Sequence, residues 1–147
     1  EAAARLGAIL GSATPEQEQA VASYGMHLGT AFQLIDDVLD YSGDNHATGK
    51  NVGDDLAEGK PTLPLIYAIR HGSTAEAALI RKAIEAGGLS ELEQVVAAIH
   101  RTGALDYTRR QAGAEVRAAS AALAALPNSK QRDYLLQLAD FAVTRNY

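Results

Sequence analysis

The chain has 147 residues, 47% of them hydrophobic, 21% charged and only 5% aromatic, enough for one globular domain with a real core. Its net charge of −5 provides no basic stripe to neutralise phosphates and argues against a nucleic-acid partner, while the absence of cysteine excludes disulfides and thiolate metal sites. No apolar run reaches the roughly 20 residues that cross a bilayer, and the expected location is the cytoplasm. Ala, Leu, Ile and Val supply most of the apolar content without alternating β-branched runs, so the fold class expected over residues 1–147 is all-α, a single helical domain.

In chain order, "EAAARLGAIL" reads as the last turns of a helix stopped by Gly11. It has no initial Met and no signal-peptide character, so the chain is expected to be a piece of something longer. "TPEQ" starts the next helix, with Thr14 as N-cap, Pro15 at the first helical position and Gln17 closing a capping box. That helix is expected to run to about Tyr41. Gly25 and Gly29 inside it imply close packing against a neighbour or open space beside it. "SGDNHATGKNVGDDLAEGK" is the one long irregular segment, and loops of that length in compact domains are more often functional than idle. Four further helices follow: "PTLPLIYAIRHG", "STAEAALIRKAIEAGG", "SELEQVVAAIHRTG" with a Ser90–Glu93 capping box, and "ALDYTRRQAGAEVRAASAALAAL", stopped by Pro127. "SKQRDYLLQLADFAVTRN" closes the chain as the last one.

Chemistry concentrates in "FQLIDDVLDYSGD". At 100° per residue, Gln33, Asp36, Asp37 and Asp40 share about one third of the helix circumference. Leu28, Phe32, Ile35 and Leu39, extended by Val21 and Tyr24, form the stripe expected to enter the core. No Lys or Arg occurs between Arg5 and Lys50. At about 6 Å and an effective dielectric near 20, each like-charged pair costs on the order of 3 kcal/mol. Either some of these acids stay protonated, or side chains from elsewhere neutralise them, or a cation does; a purely solvated face is the plain rival. All-oxygen ligands select hard cations, Mg²⁺ above all when waters and substrate phosphates complete the shell. The following loop brings Lys50 and Lys60, with Asp54 and Asp55 between them. Acids for Mg²⁺ beside lysines for phosphate suit an enzyme that handles a diphosphate. The four histidines, His27, His46, His71 and His100, are scattered and read as packing or surface residues, and Arg145 as part of a frayed terminus.

The sequence "FQLIDDVLD" followed by "GKNVGDDLAEGKPTLPL" resembles the second aspartate-rich region of the all-trans polyprenyl diphosphate synthases, in particular the bacterial octaprenyl type that makes the quinone side chain. The likeness continues through "LPNSKQRDYLLQLADFAVTR" and so covers essentially the whole chain. It implies an all-α bundle around a central cavity, a homodimer, and repeated Mg²⁺-dependent condensation of an allylic prenyl diphosphate with isopentenyl diphosphate. It further implies that Asp36, Asp37 and Asp40 hold Mg²⁺ bridged to the allylic diphosphate. Lys50 contacts that diphosphate with Lys60 close by, and Asp55 and Asp54 serve the metal's outer shell. Phe32 and Gln33 border the reacting carbon on the same implication, where a ring face and an amide oxygen tolerate positive charge. Family members are longer and carry a first aspartate-rich motif that is absent here. The chain is therefore expected to be the C-terminal half of such a synthase, inactive by itself. Two rivals are a related terpene cyclase using the same acids and a non-catalytic helical subunit that partners an intact synthase.

Overall fold

The computed structural model describes residues 1–42, 52–87 and 90–144; Lys50, His46 and Arg145 lie outside these. Every regular element among the described residues is helical: α1 (Ala2–Leu10), α2 (Pro15–Asp40), α3 (Asp54–Ala57), α4 (Leu63–His71), α5 (Thr74–Ala86), α6 (Leu92–Thr102), α7 (Ala104–Ala122) followed by a 3₁₀ turn (Leu123–Ala125), and α8 (Lys130–Thr144). The all-α expectation holds. By contact the chain forms two compact units, one from the described part of Glu1–Gln33 and Gln111–Arg145, the other from Leu34–Arg110.

The first unit contains α1, most of α2, the later turns of α7, and α8. Its start follows the expected capping chemistry. The Thr14 N–H donates to Gln17 Oε1 at 3.0 Å and the Gln17 N–H to Thr14 Oγ1 at 3.3 Å, satisfying two otherwise orphaned donors. Its core is Tyr24, Ala31, Val116, Ala119, Leu123 and Ala139. Tyr24 buries its hydroxyl without loss, because it donates to the Leu135 carbonyl at 2.8 Å. His27 Nδ1 lies 2.6 Å from Glu115 Oε2, which joins α2 to α7 rather than offering a metal ligand. Gly25 and Gly29 realise one alternative each. A Cβ on Gly25 would stand 2.6 Å from that of Ala4 on α1, whereas one on Gly29 would meet nothing within 4 Å.

The second unit holds the end of α2, α3 to α6 and the start of α7. Its core is Tyr41, Leu56, Leu65, Ile80, Val95 and Ile99, all fully buried. Helix α4 packs on α5 and α6, α5 also on α6, and α3 on α5. Two glycines allow α3 and α5 to end against each other. Gly59 (φ +70°) and Gly87 (φ +58°) are left-handed, and a Cβ on either would come within 3.0 Å of the Ile84 carbonyl oxygen or 3.1 Å of the Ala57 one. Helix α5 carries a capping box that the sequence reading did not name: Ser73 accepts from the Glu76 N–H, and Glu76 from the Ser73 N–H. The box expected at Ser90–Glu93 does not form. Helix α6 starts one residue later, with Glu91 at its N-cap and the Ser90 hydroxyl turned to the Glu91 carboxylate.

The buried line of α2 also differs from the expected one. Tyr24, Ala31, Ile35 and Val38 are buried, while Phe32 is 47% exposed and Leu28 and Leu39 are only partly covered. Near its end the helix is enclosed over a wider arc, since Asp37 and Asp40 are buried beside Val38 and Tyr41. The carboxylates therefore do not form a solvated face.

Candidate functional site

Asp37 and Asp40 are buried carboxylates, and both accept hydrogen bonds from backbone N–H groups. Asp40 accepts from the N–H of Asp54 (3.1 Å, Oδ1) and of Asp55 (3.3 Å, Oδ2), while its own carbonyl accepts from the Gly53 N–H at 3.0 Å. Residues 53–55 thus wrap the end of α2 with three consecutive donors, at the N-terminus of α3, where unpaired N–H groups point outward and favour negative charge. Gly53 makes the wrap possible, because it sits at φ 84°, in the left-handed region. Asp37 Oδ2 accepts in the same way from the Leu63 N–H, at 3.5 Å and the start of α4. Backbone N–H groups at the starts of α3 and α4 thus hold Asp40 and Asp37.

The compensation for Asp40 is incomplete. Burial first, and the Asp55 charge second, push its carboxyl up to about 6, against the two backbone hydrogen bonds that favour its ionised form. Asp36 is less covered than its neighbours. Lys60, expected near a diphosphate, is exposed and pairs with Glu58 (2.5 Å) and Asp55 (3.3 Å). The structure brings Asp40, Asp54, Asp55 and Lys60 together, with Asp37 tied to the following helix. Phe32 and Gln33 are exposed positions on α2 within the other compact unit.

Sequence reading passed over two residues beside the acids. Tyr41 directly follows the triad and is fully buried, with the Thr62 hydroxyl beside its own. Burial raises its phenol pKa, the nearby Thr62 hydroxyl opposes this, and the charges of Asp40, Asp55 and Asp37 add to it. Thr62 stands at the N-cap of α4 without capping it, and its hydroxyl is buried beside that of Tyr41. The one signal in the sequence was a Thr directly before the apolar helix "LPLIYAIRH".

Among the described residues, no three acidic or histidine side chains converge as an all-protein metal cage requires. Mg²⁺ seldom uses such a cage; it keeps several waters and takes one or two carboxylates plus substrate phosphates. A hard-oxygen donor set with the Tyr41 and Thr62 hydroxyls next to it fits a hydrated ion of that kind.

The family model for polyprenyl synthetase matches residues 1–101. The chain belongs to the polyprenyl synthetase family. It is 51% identical to the octaprenyl diphosphate synthase of Haemophilus influenzae, across 100% of this chain and 45% of that protein. The crystal structure of a polyprenyl synthase from Caulobacter crescentus, complexed with calcium and isoprenyl diphosphate, superposes with a TM-score of 0.86 at 41% identity, covering 97% of this chain and 44% of that one. A geranylgeranyl pyrophosphate synthase from Corynebacterium glutamicum, complexed with isoprenyl diphosphate and magnesium, gives 0.84 at 30% identity over 96% and 41%. The chain thus spans a little under half the length of the relatives it matches. No described helix is long and apolar enough to cross a membrane.

Proposed function

We propose that this chain contributes the second aspartate-rich half of a Mg²⁺-dependent prenyltransferase, which lengthens an allylic prenyl diphosphate by condensation with isopentenyl diphosphate to a long all-trans product, a quinone side-chain precursor. The observation that carries this reading is the acidic end of α2, buried and held by the N-termini of α3 and α4, in a chain 51% identical to an octaprenyl diphosphate synthase. The calcium complex of the Caulobacter protein and the magnesium complex of the Corynebacterium one support a metal, and magnesium is the choice for a diphosphate.

In the reaction, the carbon–oxygen bond of the allylic diphosphate breaks, the freed carbon joins the isopentenyl double bond, and a proton leaves. The metal, when bound, supplies charge neutralisation for the departing diphosphate. Asp36, Asp37 and Asp40 would hold it, with Asp55 and Asp54 in its outer shell. The backbone N–H groups on Asp40 and Asp37 fix these two carboxylates before any ligand arrives, which is the preorganisation that electrostatic catalysis needs. Lys50 would contact the diphosphate, and Lys60 would join it by leaving Glu58. Phe32 and Gln33 would border the reacting carbon. Exposure of Phe32 at 47% supports a role other than core packing.

On this reading the site is completed by the part of the relatives that this chain does not span, the chain alone is inactive, and the working protein is a cytoplasmic homodimer. To test this, the chain is assayed alone and joined to the N-terminal portion of the Haemophilus enzyme, with an allylic diphosphate and labelled isopentenyl diphosphate. Labelled polyprenyl product from the joined protein, abolished by a chelator and by Asp36→Ala, is expected. Product from the chain alone would sink the shared-site reading, and a joined protein that binds Mg²⁺–diphosphate without turnover would sink prenyl transfer.

A further inference from the structure

Lys60 is an exposed lysine on a rigidly held backbone. Between Arg5 and Arg70 the sequence offers only Lys50 and Lys60 as Lys or Arg. The turn that closes α3 fixes Lys60 from one side: its N–H donates to the Asp55 carbonyl at 2.9 Å, beside the Gly59 N–H on the Leu56 carbonyl at 3.0 Å. Left-handed Gly59 (φ +70°) seats that turn against the end of α5, where a Cβ would come within 3.0 Å of the Ile84 carbonyl oxygen. From the other side, the Lys60 carbonyl accepts from the Thr62 N–H at 3.0 Å. Both backbone groups of Lys60 are thus bonded, and its side chain is the part left to move.

That side chain bridges two carboxylates of unequal standing. Asp55, at 3.3 Å, is mostly covered (21% exposed), and its own N–H holds Asp40. Glu58, at 2.5 Å, is 61% exposed and stands at the C-cap of α3. Helix stability does not call for an acid there, since the C-terminal end favours cations. An exposed ion pair of this kind adds little to a fold, because two long side chains lose freedom and water screens their charges. It can nevertheless hold a cation in place and release it to a stronger anion. A diphosphate, with several charged oxygens, is such an anion.

We propose that Glu58 is a positioning residue for the diphosphate site, which holds the Lys60 ammonium when no ligand is bound and competes with the diphosphate for it. Lys60 then exchanges Glu58 for the ligand while keeping Asp55. This deepens the metal–diphosphate reading above and rests on it. Glu58 acts through Lys60 and does not touch the reacting carbon. Its carboxylate sets how tightly diphosphate is held, by making the free state of Lys60 a paired one.

The wild-type chain is compared with Glu58→Gln, Lys60→Gln and the double variant by calorimetric titration with Mg²⁺ and inorganic diphosphate, and by thermal unfolding. Without ligand, all three are expected to melt close to the wild-type midpoint, because the Glu58–Lys60 pair is exposed. Glu58→Gln is expected to bind Mg²⁺–diphosphate about threefold more tightly and Lys60→Gln about tenfold more weakly. The double variant is expected to match Lys60→Gln, since Glu58 then has no ammonium to compete for. Tightening by Glu58→Gln that persists in the Lys60→Gln background would assign the effect to plain repulsion between carboxylate and ligand, and would overturn the inference. Unchanged or weaker binding in Glu58→Gln, or wild-type affinity in Lys60→Gln, would overturn it too, leaving the metal–diphosphate reading intact. A wild-type chain that melts cooperatively yet ignores Mg²⁺–diphosphate would overturn that reading, and the inference with it.

Discussion

The two compact units bury opposite kinds of residue. Every large apolar side chain exposed among the described residues, namely Leu6, Ile9, Leu10, Met26, Phe32, Tyr134, Leu138 and Phe141, belongs to the first unit. The second unit has none among its described residues, but it contains Asp37 and Asp40, the buried carboxylates. Its interior is also built from larger side chains: Tyr41, Leu56, Leu65, Ile80 and Ile99 are fully buried, where the first unit relies on Ala31, Ala119 and Ala139 around Tyr24 and Leu123. The difference separates two tasks. A dense, closed core holds charges in place, while an alanine-rich layer with open apolar faces carries little of that burden.

The largest expected effect tests the dense core. Leu65→Ala removes a fully buried side chain at the start of α4 and should cost about 2–5 kcal/mol in urea unfolding. If the comparison holds, amides of α4, α5 and α6 also exchange more slowly than those of α1 and α8. Slower exchange in α1 or α8 would reverse the assignment of the stable unit.

Next in size is the link between core and charge. Asp40→Ala leaves the Asp54 and Asp55 N–H groups without their acceptor and should cost about 1–3 kcal/mol, with Asp40→Asn intermediate because one acceptor oxygen remains. Both variants should lose Mg²⁺–diphosphate binding. An Asp40→Ala chain as stable as wild type would show that water replaces the carboxylate and that the acids are not structural.

How much of this was legible follows from where the partners lie. The long α2, its Thr14–Gln17 box and the cluster of Asp36, Asp37 and Asp40 depend on neighbours three or four residues apart, and they read directly. What neutralises the cluster did not. Asp40 and Asp37 accept from backbone N–H groups 14 to 26 residues away, and every residue but proline carries one, so side-chain types hold no trace of these bonds. The core stripe was off by one position in part, with Phe32 open and Val38 closed, because helical periodicity gives the direction of burial only when one face is covered. The Ser90–Glu93 box failed for a local reason, since Glu91 competes for the same serine hydroxyl.

A pair of substitutions in the first unit carries opposite signs. Gly25→Ala would place its Cβ 2.6 Å from that of Ala4, which cannot yield without moving α1, and should cost about 1–3 kcal/mol. Gly29→Ala, one helical turn further on with nothing within 4 Å, should stabilise by about 0.5–1 kcal/mol through helix propensity alone. Equal effects at the two sites, read as Tm shifts, would mean that α1 is not seated on α2.

The smallest effect returns to the second unit and to pH. Glu76 accepts from the Ser73 N–H at 2.7 Å and its hydroxyl at 2.6 Å, and from Arg101 Nε at 2.8 Å, which ties the first turn of α5 to the end of α6. The Arg101 guanidinium first, and Ser73 second, lower its pKa from 4.5 to about 2. A folded-state value below the unfolded one means that the carboxylate form stabilises the fold. That contribution is complete above the unfolded value and disappears as pH falls through the folded one. Glu76→Gln should therefore lower the urea midpoint slightly at neutral pH, and the gap to wild type should close between pH 4.5 and about 2. Because the pair is exposed, added salt should narrow the gap at neutral pH as well. A gap that persists at the acid end would assign the effect to lost hydrogen-bond geometry at the cap instead of charge.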